Sequence, residues 1–507
     1  VAWRRYDAEA DAALVEISDP PYADPDMVGP LRWGRLVCAR PDTRCEAVGF
    51  PTVQVGANGV RDTEHLSGSV RPLGAFKSGR LDVAVDAGPA ATSTGSPWAG
   101  LSGAGLFVNS VLGGVVAGDK KGFAAGRVGA VRVSAFANDP AFTAVVRPHG
   151  LAPWLEPAEL LDLHQRPVPV VSPGSLLRAD AEAVVFRGRE GIIKDLVDWC
   201  DTGRGTSARL VTGPGGQGKT RLGLQVATIL RRQGWATIVL TADPAAEALS
   251  LLSSVCVPLL LVVDYAEHRR DQLNLLAKVL ADRETTTAVR VLLLARADGE
   301  WRQLLDAPAE FMSIPPPIVL GPLDDDPCGR AEAFSEAISG LAARLPTVSD
   351  LETPDWTAVG EGIADLAPRS TSTALGVQMA ALAALLQAAN PVDVGIGANA
   401  IDIIARHEAR YWVVVAKEHQ LRLAADTQRL AVTAACLLPV DDASSAASVL
   451  ARVPGVADLT EDRQLAVSAW LRALYPHEHS WWGSPQPDLL AEHITAAVVI
   501  RRPTVLG

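Results

Sequence analysis

The stretch "LVTGPGGQGKTRLGLQVA", residues 210–227, decides the fold of the middle of this chain. From Gly213 to Thr220 it satisfies the spacing GxxxxGK[ST], in which glycines let backbone N–H groups turn towards a phosphate. An apolar segment precedes the loop and a helical pattern follows it, as the motif requires. The stretch therefore predicts a phosphate-binding loop between a buried strand and the N-terminus of a helix.

The side chains of this loop have separate expected roles. Lys219 is expected to meet the β and γ phosphates of a nucleotide, and Thr220 to offer its hydroxyl to Mg²⁺. The glycines that permit the backbone cradle are Gly213, Gly215, Gly216 and Gly218. The sequence does not choose between ATP and GTP, so the predicted ligand is Mg·ATP with GTP as the alternative.

Two later segments supply candidate catalytic groups for the same nucleotide. In "PLLLVVDYAE", residues 258–267, Asp264 follows an unbroken apolar run and is predicted to bind Mg²⁺ at the carboxyl edge of a sheet. Glu267 is a candidate for orienting the attacking water, although an acid after a strand is also an ordinary turn residue. Arg296 ends the strand pattern of "RVLLLARADGEW" and is either a phosphate sensor or a surface ion-pair partner.

Periodicity divides the chain into parts of different fold class. Short apolar segments alternate with Gly, Pro, Asp and Asn over residues 1–146, which predicts an all-β barrel or sandwich. Residues 147–183 are rich in proline and are predicted to be a linker. Strands and helices alternate over residues 184–326, which predicts an α/β core with a parallel sheet. Residues 327–507 read as a helical or winged-helix domain that ends with a small hairpin near "WWGSP" and a last helix.

Composition limits the classes of function. The chain has 507 residues with a formal net charge of −12, so it is a poor candidate for non-specific nucleic-acid binding. Its six cysteines show no metal-ligand spacing, and Cys38 and Cys45 are either a disulfide or isolated buried thiols. No apolar run is long enough to cross a membrane and no signal peptide is evident, so we expect a cytoplasmic protein.

The run from "FRGRE", residues 186–190, through the glycine loop to "LLLARADGEW" resembles the STAND class of signal-transduction NTPases, which are relatives of the AAA+ ATPases. The resemblance covers roughly residues 185–500. It implies a switch that holds nucleotide in a closed state and then exchanges it and forms homo-oligomers. The chain departs from that pattern, because Asp264 is followed by Tyr265 instead of a second acid and no repeat sensor is found before Gly507.

A second motif lies in "SPWAGLSGAGLF", residues 96–107, where Gly100, Ser102 and Gly103 form GxSG. Turns of this composition are ordinary in β proteins. Together with the strand spacing and the segment "EADAALVEIS", however, the turn is similar to the nucleophile loop of trypsin-like serine peptidases over about residues 8–135. That resemblance implies a nucleophile at Ser102 and an oxyanion site at the N–H groups of Gly100 and Ser102.

The same resemblance assigns the orienting aspartate to Asp11 and the base of the specificity pocket to Ser96. The family's histidine precedes its aspartate, but no histidine precedes Asp11, and His65 comes in the wrong order. Loss of the base from such a unit costs on the order of a millionfold in rate. The β domain is therefore expected to be either a peptidase truncated at its N-terminus or a degenerate binding module.

Three functional readings follow from these motifs. The first is a signalling NTPase whose nucleotide state gates an attached trypsin-like peptidase effector acting on a peptide substrate, as in bacterial defence or stress response. The second is a STAND-type regulator whose β domain only binds a protein partner. The third is a housekeeping ATPase, which predicts rapid steady turnover without a trigger, whereas a switch predicts slow turnover and retained nucleotide.

Overall fold

A computed structural model of the chain shows three regions of different class. It describes residues 1–7, 10–16, 31–40, 42–56, 59–72, 74–89, 95–149, 151, 154–166, 168–283, 286–299, 315–322, 327–348, 354–363, 373–393, 398–477 and 480–501. The expected order of an all-β region, a parallel α/β region and a helical region is confirmed.

The N-terminal region contains a closed β-barrel. The strands of the whole region are β1 (Trp3–Tyr6), β2 (Asp11–Leu14), β3 (Trp33–Arg35), β4 (Thr43–Gly49), β5 (Glu64–Val70), β6 (Arg80–Val85), β7 (Gly105–Val108), β8 (Val111–Asp119) and β9 (Arg127–Arg132). Strands β1 and β2 form a separate two-stranded sheet. Strands β8, β7, β4, β5, β6 and β9 follow one another in antiparallel pairs, and β9 pairs again with β8. Closure removes the free sheet edges that would invite aggregation.

Alternating side chains fill this barrel. Along β5, for example, Leu66 and Val70 are buried while His65 is exposed, which is the period-two pattern of a strand with one wet face. A second, aromatic core lies outside the ring, where Trp3 of β1 and Trp33 of β3 pack on Phe142 of helix α1 (Pro140–Val146). The side chain of Asp139 caps this helix at the N–H groups of its first turn.

The central region is a parallel sheet with the order β12–β13–β14–β11–β15. Its strands are β11 (Thr206–Thr212), β12 (Ala236–Val239), β13 (Leu259–Val263), β14 (Val289–Ala295) and β15 (Ile318–Val319). Its helices are α2 (Glu190–Asp201), α3 (Lys219–Arg232), α4 (Ala246–Ser250) and α5 (Arg270–Ala281). Strand β13 is buried at every position, as expected for a parallel strand covered on both faces.

The predicted linker, residues 147–183, is wrong as an extended spacer. Its strand β10 (Leu155–Pro157) pairs with β3 of the first region, so the β region extends beyond residue 146. The following 3₁₀ turn places Leu160 and Leu163 in the hydrophobic core of the central sheet. Gln165 N–H then donates to the Val239 carbonyl at 2.8 Å, at the edge strand β12. Pro157 ends β10, and the segment that follows it is packed into the core of the central sheet.

The buried carboxylate of Glu159 holds the chain that follows β3 against the connector that enters the central region. It accepts hydrogen bonds from the Val37 N–H at 3.0 and 3.1 Å and from the Cys38 N–H at 3.0 Å. Burial raises the pKa of this carboxyl, and the same hydrogen bonds oppose the rise. Cys38 also forms an antiparallel bridge with Val255 of the central region. The β-barrel and the parallel sheet therefore share a continuous polar and apolar contact.

The C-terminal region consists of helices joined by irregular segments in the described residues. Its helices are α6 (Pro327–Arg344), α7 (Trp356–Glu361), α8 (Ala374–Ala389), α9 (Ala400–Glu418), α10 (Ala425–Leu437), α11 (Ala443–Leu450), α12 (Glu461–Leu474) and α13 (Asp488–Arg501). The hairpin expected near residues 481–487 is wrong, and no strand of a winged-helix domain occurs in the described part of 327–501. Instead, Trp481 and Gly483 N–H groups donate to the carbonyls of Val440 and Tyr475, so the segment packs as irregular chain.

A buried hydrogen-bond network joins the former linker to this helical region. The carboxylate of Glu408 on α9 accepts from the Gly174 N–H and from the Tyr475 hydroxyl, both at 2.9 Å. Trp412 N–H in turn donates to Tyr475 Oη at 2.7 Å. Burial raises the pKa of Glu408, and its hydrogen bonds oppose that rise. Segment 171–175 is thereby held on the helical region, while Gln165 of the same connector is bonded to the central sheet.

Two expectations from composition can be compared with the structure. All six cysteines are free thiols, so Cys38 and Cys45 form no disulfide. Among the described helices, none combines the length and the apolar character that a membrane crossing needs.

Replacing Glu159 with alanine tests the contact between the barrel and the sheet. Glu159→Ala leaves the buried N–H groups of Val37 and Cys38 without an acceptor, which costs about 2–4 kcal/mol. We expect the first thermal transition in calorimetry to move to lower temperature. Glu46→Ala is the control, because Glu46 makes an exposed pair with His65 and such pairs contribute about 1 kcal/mol or less. Equal shifts for the two variants would show that the Glu159 contact carries no special stability.

Candidate functional site

The glycine loop adopts the conformation that its sequence predicts. Buried strand β11 ends at Thr212, the loop turns at the carboxyl edge of the sheet, and α3 begins at Lys219. Gly216 and Gly218 have φ values of 78° and 84°. This left-handed conformation is easily reached only without a Cβ. At Gly216 a Cβ would also approach the side chain of Leu375 to 3.2 Å.

The glycine loop contains backbone N–H groups that have no acceptor in the described residues. In the described residues, the backbone N–H groups of Gly216, Gly218 and Lys219 have no hydrogen-bond partner. They stand at the N-terminus of α3, where a helix favours anions. Lys219 folds back so that its Nζ donates to the carbonyls of Gly213 at 2.7 Å and Pro214 at 3.0 Å. The loop therefore has the free donors and the nearby cation that a phosphate group needs.

The two predicted metal ligands lie together. Thr220 Oγ1 donates a hydrogen bond of 2.6 Å to Asp264 Oδ2 at the end of β13. Burial raises the pKa of the Asp264 carboxyl, and the hydrogen bonds from Thr220 and from the Tyr265 N–H oppose that rise. Burial likewise lowers the pKa of Lys219, while Asp264 and Glu267 act in the other direction. Partial desolvation strengthens every electrostatic contact with a bound anion or cation.

This pair fits the chemistry of Mg²⁺ bound with a nucleotide. No cluster of three or more His, Cys, Asp or Glu side chains suited to a metal occurs in the described part of the chain. Mg²⁺ needs few protein ligands, because it takes one or two oxygen side chains and completes its shell with water and substrate phosphates. One hydroxyl and one carboxylate beside a phosphate cradle satisfy that requirement.

Glu267 and Arg296 lie next to each other at the rim of the same cleft. Glu267 Oε1 accepts a 3.0 Å hydrogen bond from the backbone N–H of Arg296. Glu267 Oε2 is buried and has no partner among the described residues, so it is a free acceptor. The Arg296 residue is exposed. Both residues line the cleft together with Lys219 and Asp264.

The cleft itself was not evident from the sequence. It has a volume of about 980 Å³ and is lined by the glycine loop, by segment 168–189 and by the helical region. The Leu375 N–H at the start of α8 donates to the Gly216 carbonyl at 3.0 Å. The Tyr265 hydroxyl donates to Asp488 Oδ2 at 2.6 Å. The sequence offers no signal for either contact, because each joins residues that are far apart along the chain.

The serine turn of the barrel is exposed and tight. Gly100 has a φ of 98°, and a side chain there would collide with the Arg61 guanidinium and the Phe50 carbonyl at 2.2 and 2.6 Å. In the described residues the N–H groups of Gly100 and Ser102 have no hydrogen-bond partner. The Ser96 hydroxyl accepts from the Trp98 N–H at 3.1 Å. The turn thus leaves the N–H groups of Gly100 and Ser102 without a partner in the described residues, and the Ser102 side chain is exposed.

The other predicted members of the serine site are not joined to Ser102. Asp11, implied to be buried, is exposed, because it lies on the two-stranded β1–β2 hairpin opposite Tyr6. No hydrogen bond links Ser102 to Asp11 or to a histidine among the described residues. His65 instead pairs with Glu46 at 3.1 Å on the outer face of β5. The described residues therefore hold no assembled catalytic triad.

Comparison with known proteins gives one family match. Residues 179–307 match the family model described as Novel STAND NTPase 5. No curated protein matches the chain.

Among solved structures, the chain is similar to the Aeropyrum pernix ORC1 protein in complex with DNA, at 15% identity over 65% of this chain and 97% of that one, with a TM-score of 0.31. It is also similar to Cdc6p from Pyrobaculum aerophilum, at 14% identity over 66% and 100% of the two chains, with a TM-score of 0.27. AMPPCP-bound DnaA from Aquifex aeolicus matches at 12% identity over 66% and 93%, with a TM-score of 0.25. These structural likenesses are remote. The family match and the geometry of the glycine loop together support a nucleotide-binding NTPase core.

Proposed function

We propose that the chain is a nucleotide-dependent switch that binds Mg·ATP, hydrolyses it slowly, and transmits its state to the β-barrel. The observation that carries this proposal is the 2.6 Å contact of Thr220 with Asp264 at the mouth of a glycine loop with unpaired N–H groups. A metal and a phosphate group could both be held there without a change of fold. ATP is preferred and GTP is the alternative, because no contact in the site selects a base.

The residues of the site have distinct roles in this proposal. Lys219 and the N–H groups of Gly213, Gly215, Gly216 and Gly218 hold the phosphates. Thr220 and Asp264 hold Mg²⁺, which supplies charge neutralisation at the phosphate oxygens when bound. Glu267 orients the water through its free Oε2, and Arg296 contacts the terminal phosphate. Positioning and electrostatics of this kind account for most of the catalysis in phosphoryl transfer.

The contacts around the cleft favour a nucleotide switch over a housekeeping ATPase. The helical region contacts the glycine loop at Gly216 and the Asp264 segment at Tyr265. The first region is fastened to the central region through Gln165, which donates to Val239, and through the bridge of Cys38 with Val255. A nucleotide in this cleft would thus be in contact with parts that join all three regions. Slow turnover, retained nucleotide and nucleotide-dependent homo-oligomers are the expected behaviour.

For the β-barrel, the main proposal is a trypsin-like peptidase effector with Ser102 as nucleophile, Asp11 as orienting group and a peptide substrate. The unpaired N–H groups of Gly100 and Ser102 support it, because an oxyanion site needs two such donors. The alternative is a binding module for a protein partner. It is favoured by the exposure of Asp11 and by the pairing of His65 with Glu46, which leave Ser102 without a base in the described chain.

Replacing Lys219 tests whether the chain is a nucleotide switch. The purified chain is denatured and the released nucleotide is identified by chromatography. We expect about one adenine nucleotide per wild-type chain and little or none from Lys219→Ala, because the variant loses the cation that meets the phosphates. Arg232→Ala, at the far end of the same helix α3, is the matched control and should retain nucleotide. A wild-type chain that carries none and binds neither added Mg·ATP nor Mg·GTP would refute the proposal.

Replacing Asp264 separates metal binding from phosphate binding. Asp264→Asn removes the negative charge that holds Mg²⁺ but keeps a side chain that can accept from Thr220. We expect ATP turnover to fall about 100-fold or more, from the loss of several kcal/mol of metal-derived stabilisation, while ADP binding without Mg²⁺ persists. Because burial raises the Asp264 pKa, Mg²⁺ affinity should fall as the pH is lowered through it. Turnover that is unchanged in Asp264→Asn would contradict the assigned role.

Labelling of Ser102 decides between the two readings of the barrel. A fluorophosphonate probe reacts with a serine only when a base activates it. The main proposal expects Ser102 to be labelled, with loss of the signal in Ser102→Ala and increased labelling after nucleotide exchange. The Ser110→Ala variant, in the turn after β7, is the control and should leave labelling unchanged. Absence of labelling in every nucleotide state would leave the binding module as the function of the barrel.

A further inference from the structure

Tyr265 occupies an unusual position directly after the metal-binding carboxylate. Its backbone is left-handed, with a φ of 52°, which a residue with a Cβ adopts only at a cost. The N–H of Tyr265 donates a hydrogen bond to Asp264 Oδ1 at 2.9 Å. Asp264 is therefore held at both oxygens, by Thr220 on one side and by the Tyr265 backbone on the other.

The side chain of Tyr265 reaches into a different region of the protein. Its hydroxyl donates a 2.6 Å hydrogen bond to Asp488 Oδ2, across 223 positions of sequence. Asp488 is the first residue of α13, a helix whose Leu490 and Ile494 are buried in the core of the helical region. A rigid-body movement of the helical region would therefore pull directly on Tyr265.

The hydroxyl of Tyr265 is suited to be the donor of this bond. Burial raises the pKa of Tyr265 well above its usual value, and the hydrogen bond to Asp488 raises it further. A tyrosine phenol keeps its proton at neutral pH even without such a shift, so Tyr265 is the donor of this bond. A hydrogen bond from a neutral hydroxyl to a carboxylate is stronger than one between neutral groups.

A second contact holds the helical region against the glycine loop. The Leu375 N–H donates to the Gly216 carbonyl at 3.0 Å, next to the N-cap residue Thr373 of α8. The helical region therefore meets the nucleotide site at the phosphate loop and at the metal carboxylate together. The contact at Gly216 is made by backbone atoms. The contact at Tyr265 is made by two side chains, so a substitution can remove it without altering the glycine loop.

We propose that Tyr265 is a positioning residue that couples the helical region to the metal site through its hydrogen bond with Asp488. With the bond formed, the Tyr265 N–H fixes Asp264 in its Thr220-bound orientation and α13 stays closed over the cleft. With the bond broken, the helical region can move away, Asp264 gains freedom to turn, and nucleotide can leave. The inference rests on the proposed nucleotide site and assigns its regulation to one pair of side chains.

The test measures the release of a fluorescent N-methylanthraniloyl ADP from the full chain by stopped flow. Tyr265→Phe removes only the hydroxyl, so we expect release to become about ten- to a hundredfold faster, as for the loss of one hydrogen bond to a charged group. Asp488→Ala should do the same, and the double variant should be no faster than either single one. Asp488→Asn keeps an acceptor oxygen but loses the charge, so its release rate should lie between those of wild type and Asp488→Ala. Tyr6→Phe, at an 87% exposed tyrosine of the barrel, is the matched control.

Amide hydrogen exchange gives a readout that does not depend on nucleotide. In Tyr265→Phe, exchange of residues 488–501 should become faster, although the substitution lies outside that helix. Unchanged release and unchanged exchange in Tyr265→Phe, or additive effects in the double variant, would overturn the coupling. If no variant binds nucleotide but exchange still rises in Tyr265→Phe, the contact between the regions stands and the proposed nucleotide function fails. The two failures are thus distinguishable.

Discussion

The hydrogen bond between Thr220 and Asp264 is the point on which the central region depends. It joins the first turn of α3 to the end of β13, although β14 lies between β13 and the strand that leads into the loop. The contact forms because parallel strands bring their carboxyl ends to one edge, where the helix after β11 also begins. A partly buried carboxylate and hydroxyl are stable there only if each satisfies the other or a ligand. The fold itself therefore creates a place for a cation beside an anion cradle.

The other two regions are attached around that edge. Residues 155–165 run from the barrel to β12, and the Thr241 N–H just beyond that strand donates to the Leu163 carbonyl at 3.0 Å. The helical region touches Gly216 and Tyr265, and its buried Glu408 binds the former linker at Gly174. A displacement at the cleft would strain several hydrogen bonds at once. Packed interfaces of this kind tend to switch between discrete arrangements instead of deforming continuously.

The local parts of the structure could be predicted from the sequence, because they follow from periodicity and from residue chemistry. The strand before the glycine loop, the helix after it and the buried strand before Asp264 all lie within a few residues of their expected bounds. The sequence predicted a barrel or a sandwich but not which strands pair. The alternation of apolar and polar residues shows only which face of a strand is buried. The glycines at 216 and 218 were predictable because their left-handed backbone excludes most other residues.

What the sequence could not show are the contacts between distant segments. Proline at positions 167, 169 and 173 suggested a spacer, yet proline is equally compatible with packed chain that makes few ladder hydrogen bonds. No pattern of neighbouring residues signals the contacts of the Glu159 carboxylate or the Tyr265 hydroxyl, because each is paired with a group more than a hundred residues away. Asp11 shows the limit of a short segment that resembles a family pattern, because the hairpin around it leaves the carboxylate exposed and the sequence does not signal this.

A common physical reason underlies these cases. Spacing within a segment determines local backbone geometry, whereas the burial of a carboxylate or phenol depends on which distant element covers it. In this chain the covering elements are the barrel connector and the helical region, and both converge on the carboxyl edge of the sheet. Asp264, which is partly buried at that edge, and Glu159, which is buried in the connector, both have raised pKa values, since burial penalises their charged forms. The edge that the glycine loop predicts is thus also where the helical region makes its contacts with Gly216 and Tyr265.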